Sequence, residues 1–224
     1  MIKKFVQKFK QNQRSKEVKN LQVIHAPKMQ EQAWKDDKAY QKYLDNQLER
    51  TLVKKHTPIR PHLAINIDRI AETVDLPQSD VLCIGCRNLN EIKYFDQKGA
   101  RSTVGIDIFS ESDRVIVMDM HKMMFDNSSF NVVYSAHSLE HAYDPQVVAN
   151  EVMRIAKPGA LIAIEVPYDF EPTKTDLFDY GSVENVHQLF KTRLSSVVWA
   201  ESIPAKTGDN IHGTAVLRTG FYLD

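Results

Sequence analysis

Along the middle of the chain the apolar positions fall into short runs separated by turn residues, and the segments between them have helical spacing. Val81 to Ile84 is the first run, broken by Gly85, and Val104 to Ile108 is the second, containing Asp107. Arg114 to Met118, Asn131 to Ser135 and Leu161 to Val166 are three further strand candidates, the last reading as fully buried. Asn88 to Gln97 puts Leu89, Ile92 and Phe95 on one helical face. Asn88 and Glu91 have the spacing of a capping box, and Gly99 suits the helix C-terminus. Asp144-Pro145 is an N-cap with proline at the first helical position; it opens a helix with Val148, Val152 and Ile155 inward, whose end Lys157-Pro158-Gly159 announces. Strands alternating with helices predict a parallel sheet covered on both faces.

The flanks have other patterns. Residues 1 to about 28 show little sustained periodicity and read as an arm. From Met29 to His56, Ala33, Tyr40, Leu44, Leu48 and Leu52 recur at largely i, i+4 spacing, an amphipathic helix with a narrow apolar stripe that should pack on the main domain or on a second copy of itself. Pro58 and Pro61 punctuate, and Leu63, Ile67, Ile70 and Val74 mark another helix closed by Leu76-Pro77. The expected division is residues 1–75 as a basic arm with helices and residues 76–224 as an α/β domain. After Pro167 the chain to about Thr192 reads as polar and irregular, with Tyr168, Phe170, Phe178 and Tyr180 in it. Ser195 to Ile203 and Thr214 to Tyr222 are β-rich, and the linker between them, containing AKTGDNIHG, is too short for a crossover helix, which predicts an antiparallel hairpin.

Composition narrows the class. With 224 residues, 42% hydrophobic and 26% charged, the chain has the length for one large domain plus an appendage and the balance of an ordinary globule. No apolar run approaches membrane-spanning length, and MIKKFVQKFKQNQRSK lacks the apolar core of a secretory signal, so a cytoplasmic location without a membrane partner is expected. Net charge is zero but lopsided: residues 1–60 hold 15 Lys and Arg against 6 Asp and Glu, the remainder 14 against 23. Only Phe5 and Phe9 interleave the first basic run, so a solvated arm is favoured over a nucleic-acid surface. Cys83 and Cys86 are spaced C-x-x-C, but a lone pair does not complete a zinc site; Cys83 reads as core and Cys86 as part of the turn.

Candidate chemistry centres on Asp80 to Phe109. In a strand-turn-helix-strand unit the turn lies at the carboxyl edge of the sheet, and an acidic residue about 20 positions further on can accept both hydroxyl protons of a ribose. Gly85 and Asp107 have that spacing, which reads as a nucleoside-binding half-fold. Together with Asp119 after the third strand, FNVVYSAHSLEH around the fourth strand and its loop, and a helix ending in KPGALIAIEVP, the pattern resembles the class I S-adenosylmethionine-dependent methyltransferases over about residues 78 to 168. The resemblance implies a Rossmann-like, mostly parallel α/β sheet with helices on both faces and a C-terminal antiparallel hairpin, here with an N-terminal helical extension. It implies S-adenosyl-L-methionine as cofactor, with Gly85, Cys86, Arg87 and Asn88 around the methionine part, Asp107 on the ribose and Ile108 on the adenine. Asp119, Met120 and His121 would flank the adenine amino group, and Ser135 and Ala136 would line the floor beneath the sulfonium. The family usually has an acidic residue where this chain has Cys83 and a Gly-x-Gly-x-Gly turn where it has Gly85 to Leu89, so two glycines are lost and a cation is gained at Arg87.

His137 and His141 lie just past strand four, beside the expected methyl position, and are the candidates for a catalytic base. With Glu140 they also spell H-x-x-E-H, an inverted zinc-peptidase motif that needs a helix, whereas Asp144-Pro145 starts the helix only afterwards. A zinc metallopeptidase therefore ranks below the methyltransferase. A nicotinamide-dependent dehydrogenase would keep the glycine fingerprint missing here, and a non-catalytic methyltransferase fold serving as a binding subunit is the main alternative. The expected acceptor is a small-molecule or glycan-like compound, with nucleic acid disfavoured and a homo-oligomer through the N-terminal helices as a candidate assembly.

Overall fold

The computed structural model describes residues 38–53, 59–110, 112–205 and 215–224. The basic arm, Ala33 at the start of the long helix, and most of the AKTGDNIHG linker lie outside the described residues. The chain divides into two units, Met1–His56 and Thr57–Asp224. In the first, α1 (Lys38–Val53) follows the predicted helix, but its buried positions are Tyr40, Tyr43 and Gln47, while Leu44, Leu48 and Leu52 are half-buried.

The second unit begins with α2 (Pro61–Thr73), which starts with proline at its first position, where the missing N–H costs nothing. Its Ile67 and Ile70 are fully buried with Val81, Cys83 and Phe95, so this helix belongs to the sheet-bearing unit and the boundary falls nearer the N-terminus than residue 75. The chain then runs through β1 (Asp80–Ile84), α3 (Asn90–Gln97), β2 (Ser102–Asp107), β3 (Val115–Val117), β4 (Phe130–Ala136), α4 (Pro145–Ile155), β5 (Ala156–Pro167), α5 (Val183–Gln188), β6 (Leu194–Ile203) and β7 (Val216–Leu223). The seven strands are ordered β3-β2-β1-β4-β5-β7-β6. Strands β1 to β5 are parallel, and β7 is antiparallel to both β5 and β6. The predicted hairpin is present, with its second strand inserted between β5 and its own partner.

Alternation along the strands divides the core into two layers. Leu82, Val133, Ile162 and Ile164 face Val148 and Val152 of α4 and Val183 and Val186 of α5. Val81, Val132, Tyr134, Leu161 and Ala163 face α2 and α3. Local chemistry moves some boundaries. Asn88 Oδ1 accepts the Asn90 N–H at 3.0 Å, so Asn88 makes a tight turn before α3 and Glu91 falls in the first turn instead of closing a capping box. Asp144 caps α4 as predicted, accepting the Gln146 and Val147 N–H groups. α4 ends at Ile155, and Lys157-Pro158-Gly159 lies inside β5, where the pairing with β4 shifts register between Phe130 and Val132. α5 lies in the segment expected to be irregular; Ser182 caps it, and its six residues are too few for a periodic signal. No helix among the described residues is long and apolar enough to cross a membrane.

Candidate functional site

From β1 the chain order runs outward through β2 and β3 on one side and through β4 and β5 on the other, so the carboxyl ends of β1 and β4 flank the crevice where open α/β sheets bind ligands. At that point Gly85 adopts a left-handed conformation (φ +72°) and donates its N–H to Ile106 O at 2.8 Å. The Ser138 hydroxyl, 3.1 Å from Ile84 O, lies so close that a Cβ at position 85 would overlap it. The turn therefore needs glycine for both conformation and space.

Cys86 turns inward, its Sγ beneath Gly105 of β2 where a Cβ would collide with it, so only its backbone belongs to the turn. Cys83 and Cys86 are free and buried, and desolvation pushes both thiols well above the usual thiol range. Arg87, also left-handed (φ +31°), donates its backbone N–H to Asp107 Oδ2 at 2.9 Å, and Asp107 Oδ1 accepts the Phe109 N–H at 3.1 Å. The glycine turn and the acidic strand tip are thus directly joined. Gly85, Arg87, Asn88, Asp107 and Ile108 are all half-buried along this rim. Glu91, read from the sequence only as a capping partner, belongs here too. Its carboxyl is pushed up to about 7 by desolvation and by the charge of Asp107, against the opposing influence of its own backbone hydrogen bond and of Arg60 and Arg87.

Asp119 has a different setting. It is buried, its Oδ1 accepting the His121 N–H at 2.8 Å and lying 2.7 Å from His121 Nδ1. His121 Nε2 in turn accepts the backbone N–H groups of Tyr143 and Asp144 at 3.0 and 3.2 Å. The pair ties the loop after β3 to the start of α4. Met120 is half-buried against the same core, and Ser135 is buried in β4, in register with Ile84.

A second polar constellation sits at the ends of β4 and β5. Glu165, fully buried in β5, has Oε2 2.8 Å from Arg218 Nε of β7. Its Oε1 lies 3.1 Å from His137 Nε2 and 3.2 Å from Nε2 of His62, a residue of α2. Burial alone would raise this carboxyl, but the hydrogen bond and charge of His137, with Arg218 and His62, hold it down to about 2. His137 is left-handed (φ +52°) and donates its N–H to Glu165 O at 2.8 Å. His141, in the short 3-10 turn Leu139–His141, has Nδ1 2.9 Å from Thr175 O and 3.5 Å from Asp176 Oδ1. Both histidines of H-x-x-E-H approach the buried Glu140 Oε1, His137 Nδ1 at 3.9 Å and His141 Nε2 at 3.5 Å, while their other nitrogens serve different neighbours, and the motif is not on an α-helix. His62, Glu165 and Arg218 were not singled out from the sequence. The available signal was a lone carboxylate in the apolar run ALIAIEVP.

The strand order and its switch point define a Rossmann-like α/β fold. Residues 82–164, a little over a third of the chain, match the family model described as a methyltransferase domain. Sterol 4-C-methyltransferase strm-1 of Caenorhabditis elegans is 30% identical over 80 residues, 36% of this chain and 22% of that protein, so the chain spans about a fifth of the relative's length. Burkholderia thailandensis 1,6-didemethyltoxoflavin-N1-methyltransferase, solved with S-adenosylhomocysteine, superposes with a TM-score of 0.58 at 14% identity, covering 82% of this chain and 84% of that one. A methyltransferase in complex with the Haloferax volcanii Trm112 activator gives 0.56 at 20% identity, covering 70% and 88%. At these identities the two structures speak for the fold. At the rim, Asp107 accepts the backbone N–H groups of Arg87 and Phe109 and stands beside the glycine turn, a placement that fits the ribose of an adenosyl cofactor.

Proposed function

We propose that the chain transfers a methyl group from S-adenosylmethionine to a small-molecule or glycan-like acceptor. The observation that carries this reading is the Arg87 N–H to Asp107 bond, which fixes the acidic tip against the glycine turn inside a domain matching the methyltransferase model. On this reading Asp107 takes the ribose hydroxyls and Ile108 packs on the adenine. Gly85, Arg87, Asn88 and the Cys86 backbone surround the methionine part. Asp119, held by His121, flanks the adenine end with Met120, and Ser135 lines the floor. When bound, the cofactor supplies an electrophilic methyl carbon; the chain's contribution is alignment of the acceptor for in-line attack. His137, about a quarter exposed and fixed by Glu165, is the residue proposed to face the acceptor. His141 is a positioning residue that holds the 168–182 segment through Thr175 and Asp176. Similarity to a sterol methyltransferase supports a small-molecule acceptor.

A second reading, a methyltransferase fold that only binds a partner, is favoured by the Ser138 hydroxyl packed over Gly85 and by Arg87 where a glycine is usual. Isothermal titration of the full chain with S-adenosylhomocysteine separates the two. The methyltransferase reading expects saturable binding that Asp107→Ala weakens at least about tenfold, the loss of a charge-assisted hydrogen bond. Absence of binding to the wild-type chain favours the binding subunit.

A further inference from the structure

We propose that His62, His137 and Glu165 form a site for one divalent transition-metal cation, zinc by preference. This goes beyond methyl transfer and does not depend on it. The three donors come from α2, the loop after β4, and β5, and one ligand atom from each lies within 4.8 Å of the others. Two of the separations, Nε2 of His62 and of His137 to the same Glu165 oxygen, are 3.2 and 3.1 Å. A cation about 2.0–2.1 Å from imidazole nitrogen and carboxylate oxygen, at tetrahedral to octahedral angles, needs neighbouring donors about 2.8–3.4 Å apart. Both pairs with Glu165 already have that spacing, and the two imidazoles lie within 4.8 Å of each other at their ligand atoms.

The surroundings have the character of an outer shell that orients ligands. Arg218 holds the second Glu165 oxygen, the His137 backbone is bonded to Glu165 O, and Glu140 Oε1 lies 3.9 Å from His137 Nδ1. The Glu140 carboxylate also offsets part of the positive charge that Arg218 and a cation bring together. One turn along α2 from His62, Asn66 is fully buried, and neither of its amide atoms has a hydrogen-bond partner. Two imidazoles with one carboxylate are a donor set suited to zinc. Remaining coordination positions would open on the side of His137, the most exposed of the three.

The test is titration of the full chain, stripped with a chelator, with Co²⁺ as a spectroscopic stand-in for zinc. The expected result is visible d–d absorption saturating at one equivalent. His62→Ala and His137→Ala should each weaken binding by more than about a hundredfold, beyond the loss usual for outer-shell changes. His187→Ala, on α5 where the imidazole pairs with the Thr219 hydroxyl, should leave it within about twofold. Circular dichroism melting confirms folding, and His62→Gln replaces any alanine variant that does not fold. No cobalt spectrum, or binding indifferent to His62, overturns the site. S-adenosylhomocysteine affinity measured on the same metal-free sample keeps this outcome separate from that of the methyltransferase reading.

Discussion

Glu165 carries a charge in a strand otherwise apolar from Ala160 to Val166, and its two oxygens are shared among Arg218, His137 and His62. Its carboxyl stands at about 2 against an ordinary 4.5, so its stabilising contribution is fully present above about pH 4.5 and is lost as pH falls toward 2. Glu165→Gln leaves buried Arg218 with only the half-buried Glu201, 3.5 Å away, as counter-charge and should destabilise the chain by up to about 3–5 kcal/mol near neutral pH, read by chemical unfolding. Glu91 has the opposite sign. With its carboxyl raised from 4.5 to about 7, its effect on stability is neutral below about pH 4.5, becomes unfavourable as pH rises toward 7, and then levels off. Glu91→Gln should therefore raise the melting temperature at pH 8 and change it little near pH 4; a larger gain at pH 4 would contradict the assignment. The placement of Asp107 at the tip of β2 beside the Gly85 turn was legible from their spacing, because a strand-turn-helix-strand unit brings those two ends together. The Asp119–His121 bond was not, since adjacency of two polar residues in sequence does not say whether they face a ligand or each other.

At the level of elements, the Gly85 turn is where conformation and packing act together. Gly85→Ala meets both a left-handed backbone and the Ser138 hydroxyl, and should cost roughly 1–3 kcal/mol for the backbone alone plus the overlap. Pairing it with Ser138→Gly should recover the overlap but not the backbone cost; full recovery in urea unfolding would mean the turn had refolded differently. Strands β1, β2, β4 and β5 were readable because short apolar runs between turn residues leave few other readings. α5 was not, being one and a half turns long and held by its Ser182 cap and two buried valines. The start of α3 moved because Asn88 bonds the backbone two residues on, a competitor to the capping geometry that its sequence spacing suggested.

For the whole molecule, alternation of strands and helices made the layered α/β architecture legible, and the short β6–β7 linker made the hairpin legible. Insertion of β7 between β5 and β6 is a property of the full strand order, which local spacing does not encode. The division of the chain likewise depended on where Ile67 and Ile70 pack, and only the folded chain reveals that. The central claim is that the rim joining Gly85 to Asp107 receives an adenosyl group. A crystal structure of the full chain grown with S-adenosylhomocysteine tests it most directly. The account predicts both ribose hydroxyls within hydrogen-bond distance of the Asp107 carboxylate and the sulfur near the ends of β1 and β4. A ligand bound elsewhere, or a rim closed by the Arg87 side chain with the ligand excluded, would contradict it.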